Sequence, residues 1–170
     1  RKDIYKTIKI FSETFANLKN PPALILKTSG ATFSILDKVE IKGKINGVRN
    51  SFPEEWKLPP VYLLHGDLSE HEMNQLYNHP KIKCMVSSAW SGPVDFLTKE
   101  QSLLVDGKIE RIPESAVWDN ILIKESGWFV VDEHQAFSAF KYATENGNAI
   151  KEKAKQLGRI NRSKFTLDGM

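Results

Sequence analysis

Two polar loops that follow strand-like runs are the first candidates for ligand chemistry. Thr28, Ser29 and Gly30 follow one apolar run, and His65, Gly66, Asp67 and Leu68 follow another. Parallel sheets bind ligands outside the carboxyl ends of their strands, so both loops lie where a ligand would sit. Small residues there allow a ligand to approach the backbone closely. For the second loop, a plain strand-to-helix turn is the alternative interpretation.

A lysine beside a predicted helix start adds a positive charge to this set. Asp3 is a fair N-cap, so Lys2 stands where the backbone N–H groups and the helix dipole favour an anion. A solvated terminal lysine is the alternative. With Ser87 at the end of a later strand, these features predict a site for a phosphorylated small molecule.

Alternating helices and strands must position these residues in the first half of the chain. We predict a helix with an apolar stripe, a strand over 23–28, a weaker helix over 34–49 and a strand over 61–64. Ser69 and Glu72 form a capping-box pattern, and residues 60–87 read as one βαβ unit. The predicted stripe consists of Ile4, Ile8, Phe11, Phe15 and Leu18.

The second half is less regular. We predict a short helix from Val94, a short strand over 102–105 and an irregular segment over 108–126 that Trp118 anchors. A strand over 127–131 precedes a helix capped by Asp132, and a basic helix covers about 149–157. The expected buried face of the capped helix is Ala136, Phe137, Phe140 and Ala143. The fold expected for residues 1–170 is a single α/β domain with a Rossmann-like parallel sheet flanked by helices.

Composition limits the classes of protein to which this chain can belong. The 170 residues are 41% hydrophobic and 26% charged, and they contain neither a membrane-length apolar run nor a signal-peptide pattern, which predicts a cytoplasmic protein. The single cysteine, Cys84, is expected to be a packed thiol. The four histidines are too dispersed to indicate a metal site. The Lys and Arg residues are scattered rather than striped with aromatics, so nucleic acid is not an expected partner.

The strand that ends at Ser87 presents a topological difficulty. A parallel neighbour needs a crossover of about a dozen residues, yet a turn over 88–93 follows at once. We therefore predict that a segment is missing near Ser87–Ala89, whether it is absent from the given residues, removed by engineering or lost naturally. The two parts on either side would be residues 1–87 and 88–170.

A longer pattern around these loops resembles a known family. The pattern runs from His65-Gly66-Asp67-Leu68-Ser69 through Glu72-Met73-Asn74 and Asn78-His79-Pro80 to Met85-Val86-Ser87, then Trp90-Ser91-Gly92 and Asp95-Phe96-Leu97. It resembles the carboxyl-terminal half of GT-B glycosyltransferases, in particular a bacteriophage branch. The resemblance covers nearly the whole chain.

The resemblance implies a function and a set of roles. It implies the nucleotide-sugar donor domain of a retaining, metal-independent glycosyltransferase, without a cofactor and, if phage-encoded, in the host cytoplasm. Residues 65–68 would lie against the nucleotide base through backbone groups, and residues 28–30 would border the same cleft. Lys2 would meet the donor diphosphate, and Ser87, Ser91 and Gly92 would line the cleft.

Two departures from the family pattern limit this interpretation. The family's glycine-rich loop and helix after the strand matching Ser87, which carry the paired glutamates that grip the sugar and the ribose, have no counterpart here. The family's first donor-domain strand and its amino-terminal acceptor domain are also not matched. We therefore expect this chain to be inactive alone. The alternative function is a non-catalytic binding or structural module, for example virion-associated, that is derived from the same fold.

Overall fold

The computed structural model describes residues 4–28, 34–79, 86–118 and 121–165. The chain divides into two compact units, Lys2–Ile82 and Lys83–Met170. We call them the amino-terminal and the carboxyl-terminal unit. None of the helices in the described ranges is long and apolar enough to cross a membrane.

The amino-terminal unit is built around a parallel pair of strands. Its elements are helix α1 (Ile4–Phe15), strand β1 (Leu24–Lys27), helix α2 (Ile35–Arg49), strand β2 (Val61–Leu64) and helix α3 (Glu70–Asn78). Strand β1 pairs with β2 from Leu24↔Val61 to Lys27↔Leu64. The predicted helices and strands of this region are confirmed. Helix α2 runs unbroken through its two glycines because its apolar face is held by packing, which outweighs their low helix propensity.

One hydrophobic cluster holds the amino-terminal unit together. Ile8 of α1 is completely buried and packs with Ile41 and Ile45 of α2. The partly buried side chains around this cluster are Ile4, Leu24, Leu26, Val48, Val61 and Leu63. Alternate residues of a strand face the same side, so both strands turn one face toward the helices. The predicted stripe of α1 ends at Phe15, because Leu18 lies beyond the helix and is half exposed.

The carboxyl-terminal unit combines short strands of both orientations with two longer helices. Its elements are β3 (Val86–Ser88), α4 (Pro93–Phe96), β4 (Leu103–Val105), β5 (Gly107–Arg111), a 3₁₀ helix (Glu114–Ala116), β6 (Gly127–Val131), α5 (Glu133–Glu145) and α6 (Gly147–Lys164). Strand β3 pairs in parallel with β4, whereas β5 and β6 are antiparallel. Helix α6 is longer at both ends than predicted.

The fold is mixed α/β, as predicted, but the described residues do not form a large Rossmann-like sheet. They form three two-stranded sheets, β1–β2, β3–β4 and β5–β6. The prediction of one βαβ unit over 60–87 is wrong: within the described residues the parallel βαβ unit is β1–α2–β2, and β3 pairs with β4. The β5–β6 pair is antiparallel because the loop over 112–126 returns the chain without a crossover helix.

The predicted break after Ser87 coincides with a short parallel connection. Residues 89–102, which include α4, lead from β3 to β4 and provide the crossover that the sequence analysis found missing. The Ala89 N–H then donates to the Val105 carbonyl oxygen at 2.8 Å, so the hydrogen-bonded ladder continues through the predicted junction. The short connection that contains α4 is enough to carry the chain back to the edge at which β3 begins, so that β4 runs parallel to it.

Three expectations for the carboxyl-terminal unit are wrong. Trp118 does not anchor its loop, because it is 66% exposed in a single bridge to Leu122. The first residues of the segment predicted to be irregular belong to β5, which pairs with β6. Phe137 is also partly exposed, although Ala136 and Ala143 on the same helix are buried as predicted. The Asp132 cap is confirmed by its bond from the Gln135 N–H, 3.0 Å long.

Candidate functional site

The carboxyl ends of β1 and β2 bring the two candidate loops to one edge of the amino-terminal unit. Lys27 is opposite Leu64 in the parallel register, so Thr28 and His65 leave the sheet at the same level. The Thr28 N–H donates to the Leu64 carbonyl oxygen at 3.4 Å. The structure therefore places Thr28 next to the start of the loop over residues 65–68. Ser29 and Gly30 lie outside the described residues.

A lysine tethers the loop over 65–68 to the neighbouring strand. Lys27 Nζ donates to the Gly66 carbonyl oxygen at 2.5 Å. Gly66 adopts φ +110°, a conformation that a residue with a side chain rarely adopts. No described atom lies within 4 Å of where its Cβ would be, so this side of the loop offers room for a ligand beside the backbone.

A buried His–Asp pair connects the same loop to helix α2. His65 Nε2 lies 2.8 Å from Asp37 Oδ2, and the two side chains are only 7% and 11% exposed. Asp37 stands in the first turn of α2, and its N–H donates to the hydroxyl of the Ser34 cap at 3.1 Å. The loop start, the strand end and the helix start are thus joined by polar contacts, which hold the loop backbone in a defined position.

The amino terminus of α3 satisfies much of its own hydrogen-bonding capacity. The Ser69 hydroxyl accepts from the Glu72 N–H, and the Glu72 carboxylate accepts from the Ser69 N–H at 2.8 Å, which confirms the predicted capping box. The bond from the Ser69 backbone, followed by that from its hydroxyl, lowers the pKa of the Glu72 carboxyl. Asp67 in turn accepts from the Leu68 N–H at 3.1 Å. A negative carboxylate therefore already occupies the positive end of this helix, so the loop backbone is the better place for a ligand.

The remaining predicted site residues are Lys2, Ser87, Ser91 and Gly92. Lys2 lies outside the described residues. Ser87 is in β3 opposite Leu104, and Ser91 and Gly92 form the turn before α4, where Ser91 has φ +58°. These three residues belong to the carboxyl-terminal unit. Their role in lining a cleft with His65 remains a prediction.

Comparison with known proteins does not assign the chain to a family. No protein-family model matches the sequence, and no curated protein and no solved structure gives a significant match. The resemblance to GT-B glycosyltransferases therefore stays a hypothesis.

The roles of two residues at this edge could not be predicted from the sequence. Lys27 looks like the last residue of an ordinary strand, and Asp37 like an ordinary first-turn acid of a helix. The burial of the His65 side chain against Asp37 likewise has no signal in the sequence. Asp37 was detectable only as the residue three positions after the Ser34 cap. The contact itself joins residues 28 positions apart, so it depends on the fold.

The chemistry of this edge favours binding through shape and backbone hydrogen bonds. The Lys27 and His65 side chains are engaged in holding the loop, while the loop's glycine leaves the backbone accessible. No group of three or more His, Cys, Asp or Glu side chains within the described ranges could hold a metal ion. Independence from metal remains a prediction.

Proposed function

We propose that this chain is the donor-binding part of a retaining glycosyltransferase, which in the intact protein moves a sugar from a nucleoside diphosphate to an acceptor. The observation that supports the proposal is the meeting of Thr28 and residues 65–68 at the carboxyl edge of a parallel strand pair. Nucleotides bind at such edges in many α/β proteins, where strand-end loops expose backbone groups to the ligand. The fold alone allows other functions, so the assignment depends on this edge and on the resemblance.

The roles that we propose combine the contacts at the edge with what the resemblance implies. The loop over 65–68 meets the nucleotide base with its backbone, and the Lys27–Gly66 and His65–Asp37 contacts keep it in place before the ligand arrives. Such preorganisation raises affinity because less conformational freedom is lost on binding. Lys2 stabilises the departing diphosphate electrostatically, as cations and helix amino termini do for developing phosphate charge.

A binding experiment on the 170-residue chain tests the nucleotide part of the proposal. Isothermal titration with a panel of nucleoside diphosphates should reveal one base that binds. Gly66→Ala should weaken that binding at least tenfold, because the added methyl group disfavours the φ of +110° and enters the ligand side of the loop. Gly43→Ala is the matched control: it adds the same methyl group within helix α2, where no described atom is within 4 Å, and should leave the affinity unchanged.

Lys2→Ala separates recognition of the diphosphate from recognition of the base. The variant should lose affinity for the nucleoside diphosphate and keep its affinity for the free nucleoside, because only the former carries phosphate charge. Absence of binding by every member of the panel, or equal binding by Gly66→Ala and Gly43→Ala, would refute the proposed site. Mass spectrometry of the full-length protein with nucleotide sugars would then identify the sugar.

One observation favours the second candidate, a non-catalytic module derived from the same fold. The ladder from β3 through Ala89 to Val105 continues across the predicted junction, as expected if the chain has lost the catalytic segment and closed the fold. Such a module would release no sugar from any nucleotide sugar when tested as the full-length protein. The donor-domain proposal expects both nucleotide affinity and release of the sugar.

A further inference from the structure

Helix α6 concentrates positive charge on a surface of the carboxyl-terminal unit. Its 18 residues contain six Lys or Arg side chains and one acidic side chain, Glu152. The remainder of residues 83–170 carries more acidic than basic side chains, so the positive charge of this unit is local to α6. Ile150 and Leu157 are buried, and Asn161 Nδ2 donates to the Phe96 carbonyl oxygen at 2.8 Å. These contacts attach one side of the helix to its own unit.

Four of the six basic residues share another side of the helix. Lys151, Lys155, Arg159 and Arg162 are spaced by four, four and three residues, which places them in one stripe along an α-helix. At about 1.5 Å per residue the stripe is roughly 16 Å long. The two other lysines of the helix, Lys153 and Lys164, each lie two residues from a stripe member and hence on the far side of the helix. We call the four-residue group the basic stripe.

The only acidic residue of α6 does not neutralise the basic stripe. Glu152 pairs with Lys155 at 2.6 Å, and both side chains are largely exposed. The hydrogen bond from Lys155, the charge of that ammonium group and the charge of Arg159 together hold the pKa of the Glu152 carboxyl below its ordinary value. With one carboxylate against six basic side chains, helix α6 itself carries a net positive charge.

We propose that the basic stripe binds the phosphate backbone of duplex nucleic acid. Lys and Arg side chains in a line, about one helical turn apart, complement a partner whose negative charges also repeat along a line. A membrane surface fits less well, because a helix that lies on lipid inserts a continuous apolar face. Ile150 and Leu157 are buried in the protein, and Ile160 is the one large apolar side chain of α6 that is exposed. The apparent scatter of Lys and Arg along the sequence is therefore misleading, since the helical repeat gathers four of them onto one face.

Fluorescence anisotropy with the 170-residue chain and a labelled 20-base-pair duplex of arbitrary sequence tests this proposal. The logarithm of the association constant should fall with the logarithm of salt with a slope between about −3 and −4, as expected for about four neutralised phosphates. That slope corresponds to a loss of affinity on the order of 100-fold between 50 and 200 mM salt. Arg159→Gln with Arg162→Gln should weaken binding at least tenfold and reduce the slope by about two.

The same helix offers a charge-matched control. Lys153→Gln with Lys164→Gln removes two positive charges from α6 but none from the basic stripe. It should leave the slope nearly unchanged, and circular dichroism should show equal helix content in both double variants. Equal weakening by the two double variants would show a net-charge effect and overturn the proposal. Absence of duplex binding at 50 mM salt, or tighter binding to phosphatidylserine vesicles than to the duplex, would also overturn it. None of these measurements depends on nucleotide-sugar binding.

Discussion

The two units bury their apolar side chains in different ways. In the amino-terminal unit, one cluster around Ile8 joins two helices to both strands of a parallel pair. In the carboxyl-terminal unit, the buried apolar residues are spread over the strands, the loop after β5 and the two long helices, and two of them are alanines. These residues are Val105, Ile112, Ala136, Ala143, Ile150 and Leu157. We therefore expect a substitution at Ile8 to disturb several elements of its unit at once.

The carboxyl-terminal unit also contains a ring stack and a close approach of two backbones. The rings of Trp90 and Phe129 stack with centroids 5.4 Å apart and planes 7° from parallel. Gly107 begins β5 so close to Val130 that a Cβ atom would collide with the Val130 carbonyl oxygen. The two units also differ in the candidate binding surface that each of them carries. The amino-terminal unit holds a polar loop against a packed core, whereas the carboxyl-terminal unit presents a charged helix.

The largest expected effect tests the packed core. Ile8→Ala should reduce the free energy of unfolding by about 2–5 kcal/mol, because it removes buried methyl and methylene groups and leaves a cavity. Ile35→Ala makes the same change at a position that is 81% exposed and should have almost no effect. Leu157→Ala, in the other unit, should fall between the two. Urea denaturation of the three variants measures the differences.

Comparable losses for Ile8→Ala and Leu157→Ala would contradict the proposed contrast between the units. Amide hydrogen exchange would also show which helices lose protection in each variant. Protection should fall first in α1 and α2 for Ile8→Ala, and first in α6 for Leu157→Ala, because each change removes packing from those helices.

An intermediate effect is expected where backbones approach closely. Gly107→Ala should destabilise the protein by about 1–3 kcal/mol, because the added methyl group forces the β5 and β6 backbones apart. Gly43→Ala in α2 should instead stabilise it by up to about 1 kcal/mol, since alanine favours a helix and no described atom obstructs the methyl group. Thermal and urea unfolding of both variants test the pair. If both changes shifted the free energy of unfolding in the same direction, the close backbone contact at Gly107 would not determine the effect of the added methyl group.

The smallest expected effect concerns the start of α3, beside the candidate site. Ser69→Ala removes the N-cap and should cost about 1 kcal/mol of stability. It should also raise the pKa of the Glu72 carboxyl toward its ordinary value, because the hydroxyl that helps to lower the pKa is lost. A folded-state pKa below the unfolded value stabilises the protein above the unfolded pKa, and this contribution disappears as the pH falls through the folded pKa.

NMR titration of the Glu72 carboxyl measures this change directly. The pH dependence of stability below about pH 4 should be weaker in Ser69→Ala than in the wild type. Ser163→Ala is the control, since its exposed hydroxyl donates to the Ile160 carbonyl oxygen at 2.9 Å without contacting a carboxylate. Identical titration of Glu72 in the wild type and Ser69→Ala would mean that the capping box does not persist in solution.

Local patterns predicted the helices and their starts well. The Ser69–Glu72 spacing and the Asp132 cap describe contacts within three residues, which the sequence alone can specify. The strand ends at Thr28 and His65 were also predicted, and their shared edge followed from the rule for parallel strands. Strand partners were predicted poorly. Pairing of β2 with β1 rather than β3, and of β5 with β6, depends on contacts between residues far apart in the chain.

The grouping of charged side chains on a surface was also hard to predict from the sequence. Lys and Arg appear scattered along the chain, yet four of them share one face once α6 extends to Lys164. The predicted helix over about 149–157 was too short to include Arg159 and Arg162. Asn161, in the part of α6 that was not predicted, donates to the Phe96 carbonyl oxygen 65 residues away, a contact that the local sequence does not specify.

By itself, the amino-acid sequence determined where helices begin, which faces are apolar and which small polar residues follow the strands, because these depend on neighbours within one or two turns. Only the tertiary structure decided that Lys27 holds the Gly66 carbonyl group and that His65 is buried on Asp37. Those contacts join segments that are 39 and 28 residues apart. Their geometry exists only after β1, α2 and β2 have packed together, so local preference could not specify it.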